Sequence, residues 1–133
     1  MTRKSVKGSS MLSVMRKQFR QVPDHRELSR ITYKLEDILM CGVAMFSFKT
    51  SSLLQFEEMN REDNHRTNLK SIFDIDGVPS DTQFREVLDE VDPGHLKPIY
   101  KPFFGTARES KVLGPYQFLE GKYLLAGDGS GQF

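Results

Sequence analysis

The sequence predicts a mainly α-helical protein, in which a bundle of short helices is followed by one β-strand. Across the first 105 residues, apolar side chains recur at helical spacing, and capping residues or prolines separate the helical segments. The last apolar run, residues 123–126, is short and continuous and leads into an Asp-Gly turn, which is typical of a strand. The 133 residues, 38% of them hydrophobic and 28% charged, are enough for one globular domain.

The first helix is predicted after a polar and basic segment, residues 1–10, which we expect to be disordered. Basic side chains lie on the other faces of this helix, and the Val-Pro-Asp sequence at residues 22–24 ends it. Its apolar residues, at helical spacing, are Met11, Leu12, Met15 and Phe19.

Residues 33–48 give the strongest helix signal. Glu36 and Asp37 lie in the first turn, where the helix dipole favours anions. The apolar run at 38–46 is shorter than the about 20 residues that a membrane-spanning helix needs, so we expect a helix buried in the core. Within that run, Gly42 would let another helix approach closely. The expected apolar face consists of Leu35, Ile38, Leu39, Val43 and Phe46.

Capping signals predict where three later helices begin. Ser52 and Ser80 each precede a glutamine by three residues, as in a capping box. The Asp-Pro pair at 92–93 combines a capping aspartate with proline at the first helical position. We expect this last helix to be kinked or divided by Pro102 and to be followed by a loop after Gly105. Its expected apolar residues are Leu96, Ile99, Tyr100, Phe103 and Phe104.

The single cysteine, Cys41, excludes an internal disulfide and fits a reducing compartment. Because it lies in the longest apolar run, we expect a buried and unreactive thiol. The first twenty residues lack the apolar core of a secretory signal, so we expect a cytoplasmic protein with no membrane contact.

The formal net charge of +1 conceals two regions of opposite charge. Residues 1–35 hold nine Lys or Arg and two acids, a net charge of +7, whereas residues 36–133 have a net charge of −6. A basic N-terminal arm of this kind either contacts nucleic acid, chiefly at its phosphates, or forms a solvated tail. The candidate DNA-binding residues are Arg3, Lys4, Lys7, Arg16, Lys17 and Arg20.

Asp74 and Asp76, in the sequence IFDIDGVPSD, imitate the nucleophile motif of Mg²⁺-dependent phosphatases of the haloacid-dehalogenase type. That motif needs a parallel sheet around it, whereas helices are predicted on both sides, so a turn between helices is the favoured interpretation. Arg85 stands where a calcium-binding loop needs glutamate, which excludes an EF-hand. The three histidines do not have the spacing of metal ligands; they are His25, His65 and His95.

Three segments together resemble the N-terminal part of insertion-sequence DDE transposases, bacterial enzymes with an RNase H-like catalytic core. They are residues 33–58, YKLEDILMCGVAMFSFKTSSLLQFEE; residues 77–93, GVPSDTQFREVLDEVDP; and residues 119–133, LEGKYLLAGDGSGQF. The middle segment is the most distinctive, because its Pro-Ser-Asp-Thr-Gln and Leu-Asp-x-Val-x-Pro sequences are hard to reach by chance. The resemblance implies a helical N-terminal region followed by the first β-strand of an incomplete RNase H-like α/β domain.

The same resemblance implies three parts in the chain. Residues 1–30 form the basic N-terminal arm with its short helix, residues 31–110 form the helical transposase region, and residues 111–133 begin the truncated catalytic domain.

By this resemblance, Asp128 is the first acid of the catalytic DDE triad and a ligand of Mg²⁺. In such enzymes three carboxylates hold two Mg²⁺ ions, which promote cleavage and strand transfer at DNA phosphodiesters. The second Asp and the Glu are expected from later segments that these 133 residues do not include. We therefore expect this chain to be catalytically incomplete. The implied partners are DNA, at the terminal repeats of a mobile element, and either a second copy of the chain or a full-length transposase.

Two other functions stay open. The chain could be a non-enzymatic helical module that binds DNA or another protein. It could also be a small Mg²⁺-dependent phosphatase that uses Asp74 and Asp76.

Overall fold

The computed structural model describes residues 8–124 and residue 127. Over this part of the chain it confirms the mainly helical fold: six α-helices precede a short two-stranded hairpin. The helices are α1 (Gly8–Phe19), α2 (Leu35–Ser47), α3 (Leu53–Met59), α4 (Asp63–Phe73), α5 (Asp81–Asp89) and α6 (Tyr100–Glu109). Short 3₁₀ turns lie at Leu28–Arg30, Pro93–His95, Lys97–Ile99 and Gly114–Tyr116. The strands are β1 (Gln117–Phe118) and β2 (Lys122–Tyr123).

α1 confirms the first predicted helix but begins earlier than expected. It starts at Gly8, so residues 8–10, predicted to be disordered, belong to its first turn. Glycine and serine are tolerated there because the first N–H groups of a helix have no intrahelical partner in any case. Residues 1–7, the rest of the predicted disordered segment, lie outside the described residues.

α2 forms the centre of the hydrophobic core. Its side chains at Ile38, Cys41 and Ala44 are fully buried, and α1 and α4 pack against it. The ring of Phe84 in α5 lies 3.8 Å from the position that a Cβ atom would take at Gly42. The expected close approach at this glycine is therefore confirmed. The core is completed by Phe19, Val22, Phe56, Leu69, Phe73, Ile75, Val87, Val91 and Ile99.

The buried face of α2 is rotated from the predicted one. Phe46, expected in the core, is 76% exposed, whereas Met40 is buried. Nearly every residue from 38 to 46 is apolar, so the periodicity contains little information about which side faces inward. The neighbouring helices decide it instead, and the prediction for Phe46 was wrong.

The predicted caps of α3 and α5 are confirmed. Ser52 Oγ accepts a hydrogen bond from the backbone N–H of Gln55 at 3.1 Å. Ser80 Oγ accepts one from the N–H of Gln83 at 3.2 Å. Each bond satisfies one of the N–H groups that the first turn of a helix leaves without a partner.

α4 ends at Asp74, which adopts a left-handed backbone conformation with φ 54°. The chain reverses there, and the next residue, Ile75, is buried in the core. The segment between α4 and α5 is thus a turn between helices, as its Asp and Gly residues indicated.

The segment after Asp92 differs from the single kinked helix that the sequence suggested. Asp92 Oδ1 accepts a hydrogen bond from the N–H of Gly94 at 2.8 Å, but only 3₁₀ turns follow before α6 begins at Tyr100. Pro102 neither kinks nor divides α6, because it lies in the first turn, where its missing N–H has no intrahelical acceptor. Gly105 lies inside α6, so the loop expected there was also wrong.

β1 and β2 pair antiparallel, with Gln117 opposite Tyr123 and Phe118 opposite Lys122. Gly121, with φ 83°, helps to close the tight turn between them. The strand predicted at 123–128 begins in β2 with Tyr123, while residues 125, 126 and 128 lie outside the described residues. In the described part of the chain, no helix is long and apolar enough to cross a membrane.

Candidate nucleic-acid interface

α1 carries the described part of the predicted DNA-binding set. It packs against α2, α4, α6 and the 3₁₀ turn at Lys97–Ile99, so one side of it belongs to the core. Arg16 and Arg20 are four residues apart and therefore lie on the same face, with Lys17 beside them. Arg3, Lys4 and Lys7, the other members of the set, lie outside the described residues.

Arg16 is held by bonds within the protein. Its Nη1 donates to Oδ1 of Asp37 at 2.6 Å, and its Nη2 donates to the backbone carbonyls of Phe73 at 2.8 Å and Asp74 at 2.9 Å. The side chain is only 12% exposed. One guanidinium thus joins α1 to the start of α2 and the end of α4, where it satisfies carbonyls that a helix end leaves free.

Arg20 and Lys17 differ from Arg16 in their exposure. Arg20 Nε donates to Oε2 of Glu36 at 2.6 Å, but its side chain is 61% exposed, so its outer nitrogens face solvent. Lys17 is exposed and forms no ion pair with another described residue. These two cations are the described members of the predicted set that a phosphate can reach without breaking a buried contact.

A groove of about 270 Å³ runs beside these residues between α1, α2 and α4. Its wall combines the two arginines with the apolar side chains of Leu12, Met40 and Ile72. Asp74 also lines it, so the groove is not uniformly positive.

The two aspartates of the phosphatase-like motif are held by one lysine. Lys70 Nζ lies 2.9 Å from Oδ1 of Asp74 and 2.8 Å from Oδ1 of Asp76. The hydrogen bond from Lys70 lowers the pKa of Asp74, and the bonds to Asp76 and Asp74 raise the pKa of Lys70. Asp74 caps a helix, and the sheet in the described residues is an antiparallel hairpin. The surroundings that the phosphatase motif needs are therefore missing from the described part of the chain.

Metal-ligand geometry is likewise missing from the described residues, which contain no group of three or more His, Cys, Asp or Glu side chains able to hold a metal ion. His25 Nε2 lies 3.4 Å from Glu90, and His65 Nε2 lies 3.7 Å from Glu62, so each contacts a surface acid. Asp128, the predicted metal ligand, lies outside the described residues.

Cys41 fulfils its expected role as a buried residue. It is fully buried, and burial raises the pKa of its thiol to about 12. At neutral pH the reactive thiolate is therefore almost absent.

The buried side of α6 differs in part from the predicted one. Tyr100 and Phe104, expected to line the core, are 72% and 49% exposed, whereas Ile99 and Ala107 face inward. The spacing of Ile99, Phe103 and Ala107 by four residues was the available signal for the inward face, and it places Tyr100, Phe104 and Arg108 on an adjacent, outward face.

The described part of the chain is a small helical domain whose first helix carries Arg16 and Lys17, with Arg20 directly after it. A family comparison identifies it: the DDE_Tnp_1-associated family model, a domain found in DDE-type transposase families, matches residues 16–104. The chain belongs to this family, and the match extends from α1 into α6. Neither the curated proteins nor the solved structures include a significant match.

Proposed function

We propose that this domain binds DNA for a DDE transposase, through its basic N-terminal segment and the exposed cations of α1. The observation that carries the proposal is the net charge of +7 on residues 1–35, in a chain whose family is associated with DDE transposases. Phosphate contacts of this kind position a protein on a duplex and are strongly salt-dependent.

Arg16 has a different role in this proposal from the other five cations of the predicted set. Arg3, Lys4, Lys7, Lys17 and Arg20 are the phosphate contacts. Arg16 acts indirectly, because its guanidinium is bonded to Asp37 and to two helix-end carbonyls. It fixes the orientation of α1, and with it the direction of Lys17 and Arg20.

The test compares two charge variants in binding to a short fluorescent duplex at several salt concentrations. In the first, Arg3, Lys4, Lys7 and Lys17 are changed to glutamine; in the control, the changes are Lys49, Arg61, Arg66 and Arg85 to glutamine. All four control positions are exposed, and the ion pairs of Arg66 and Arg85 lie at the surface, where their loss costs little stability.

We expect the first variant to bind more weakly, with the slope of log K against log salt reduced by about 0.9 for each phosphate that the variant no longer neutralises. The control keeps most of the affinity and of the slope. Equal weakening of the two variants would show that only overall charge matters, and would refute the proposed interface.

The catalytic part of the resemblance stays a proposal as well. We propose that Asp128 is one carboxylate ligand of the Mg²⁺ pair in a transposase core that acts in the cytoplasm. Bound Mg²⁺ would supply charge stabilisation at a DNA phosphodiester. One carboxylate is not enough to hold two Mg²⁺ ions, so we expect this chain alone to show no Mg²⁺-dependent DNA cleavage in a gel assay.

A second candidate is a helical module that binds another protein, either a second copy or a complete transposase. The hairpin favours it, because Phe118 is 57% exposed and Leu119 is 72% exposed. Sedimentation at increasing concentration, alone and with an intact transposase, tests this candidate.

A further inference from the structure

Among the described cations, most arginines up to residue 85 form ion pairs, including Arg16, Arg20 and Arg26, whereas lysines such as Lys17 and Lys49 form none with another described residue. From residue 97 onward, no cation forms an ion pair with another described residue. These cations are Lys97, Lys101, Arg108, Lys111 and Lys122.

Two of them share an exposed face of α6 with two aromatic rings. Tyr100, Phe104 and Arg108 follow each other at intervals of four residues, and Lys101 lies beside them. The adjacent side of the helix faces inward through Ile99 and Ala107, toward α1 and its neighbours. We call the outward side, formed by Tyr100, Lys101, Phe104 and Arg108, the aromatic face of α6.

The charged side chains of this face, Lys101 and Arg108, are both positive. The sequence from residue 97 to residue 108 contains no Asp or Glu, and Glu109 follows on the far side of the helix from Tyr100. In the described part of the chain, no Asp or Glu forms an ion pair with Lys101 or Arg108. A polyanion is the partner that this charge pattern fits.

The hairpin extends the row of rings. The ring of Tyr123 stands edge-on to that of Phe104, with centroids 6.2 Å apart and an interplanar angle of 80°. Phe104 is still 49% exposed beside this contact, so part of its side chain is accessible to solvent. Tyr100, one turn earlier, is 72% exposed and therefore more accessible.

We propose that the aromatic face of α6 binds an unpaired segment of DNA. Tyr100 and Phe104 stack on bases, while Lys101 and Arg108 contact the phosphates between them. Alternating rings and cations suit a single strand, because its bases present free faces; the bases of a duplex are already stacked on each other. This inference rests on the proposed DNA-binding function but uses a different surface, so the two can fail separately.

The experiment measures binding of the full 133-residue chain to fluorescent oligo-dT and to a duplex of the same length. The variant Tyr100→Ala/Phe104→Leu removes both rings and keeps an apolar side chain against Tyr123. Its control is Phe46→Ala, which removes another exposed ring, on α2. Lys101→Gln, compared with Lys49→Gln, tests the charge in the same way. Circular dichroism establishes that each variant is folded.

We expect the ring variant to bind oligo-dT about tenfold more weakly for each ring that no longer stacks on a base, and to bind the duplex as before. Phe46→Ala leaves both affinities unchanged. Because the chain has no tryptophan, tyrosine dominates its fluorescence, and oligo-dT should quench it less in the variant than in the parent protein.

Three results would overturn the inference. The first is unchanged oligo-dT binding by the ring variant. The second is an equal loss for single strand and duplex, which would leave charge as the only contribution. The third is a change in self-association instead of in DNA binding, which would make the face a contact between protein chains. Both surfaces would be supported if the N-terminal charge variant alone lost duplex binding and still bound oligo-dT.

Discussion

The side chain of Arg16 shows how the fold can give an internal role to a residue of a basic run. In the sequence it belongs to a basic run with Lys17 and Arg20, and charge alone does not distinguish the three. In the structure its guanidinium lies among Asp37 and the carbonyls that end α4, and it is 12% exposed. Its removal would leave a carboxylate and two carbonyls without their donor.

We predict that Arg16→Met lowers the free energy of unfolding by about 2 kcal/mol, because hydrogen bonds to charged groups are removed while the aliphatic packing is largely kept. Urea denaturation with linear extrapolation measures this change. Arg30→Met is the control: its ion pair with Glu27 is exposed on both sides, and its removal should cost under about 0.5 kcal/mol. A cost for Arg16 as small as that for Arg30 would contradict the structural role.

Cys41 makes the stability of the folded protein depend on pH in the alkaline range. Burial raises the pKa of its thiol to about 12, from an ordinary value of 9.0. The folded state therefore favours the protonated thiol, and the unfolded state loses the proton first. The resulting contribution to stability is complete below pH 9.0 and is lost as the pH rises from 9.0 toward 12.

We predict that this contribution appears as a difference between the parent protein and Cys41→Ala. Their difference in unfolding free energy should be constant below pH 9.0 and change by about 1.4 kcal/mol per pH unit above it, in the direction that disfavours the parent. Other groups titrate in both proteins and cancel. The two pKa values of the thiol are 9.0 and about 12. If the difference in unfolding free energy stayed constant halfway between them, at about pH 10.5, the thiol would not be desolvated in the folded state.

Among the elements, α6 shows what a local pattern cannot establish. Gly105 was expected to end the helix, yet it lies in its interior, and the position of a Cβ there has no atom within 4 Å. The contacts of α1 with α6 and with the preceding 3₁₀ turn hold the helix together across the glycine. Tertiary packing of this kind overrides intrinsic propensity and is not visible in a short window of sequence.

We predict that Gly105→Ala stabilises the protein by about 0.5–1 kcal/mol, because alanine loses less backbone entropy in a helix and here meets open space. Gly121→Ala is the matched comparison. It should destabilise the hairpin, because φ is 83° at that glycine and side chains disfavour this conformation. Thermal unfolding should show a higher melting temperature for Gly105→Ala. For Gly121→Ala, faster amide hydrogen exchange in β1 and β2 measures the loss, because the hairpin adds little to the global stability.

Some features of these elements were predictable from the sequence, and others were not. The caps at Ser52 and Ser80 were predictable, because a cap depends on residues within one turn. The exposure of Phe46 was not, because it depends on which helices pack nearby. The candidate interface divides in the same way: the basic residues are visible in the sequence, whereas the internal bonds of Arg16 require the fold.

At the scale of the whole molecule, the positions of the buried side chains show which segments the fold needs. Every buried apolar side chain of the described chain lies between Phe19 and Ala107, and the residues of β1, β2 and their turn are all exposed. α1, in contrast, contacts α2, α4 and α6 at once. The helical bundle therefore needs its first helix and does not need the hairpin.

We predict that a chain ending at Ser110 unfolds cooperatively, with a free energy within about 1 kcal/mol of that of the full protein, because an isolated two-stranded hairpin adds little stability. A chain that begins at Asp24 lacks α1, exposes the side of α2 that α1 covers, and should lose cooperative unfolding. Urea denaturation followed by circular dichroism compares the two. If the chain ending at Ser110 were the one to lose cooperativity, the hairpin would have to be part of the folding unit, and the aromatic face of α6 would be a covered surface instead of an accessible one.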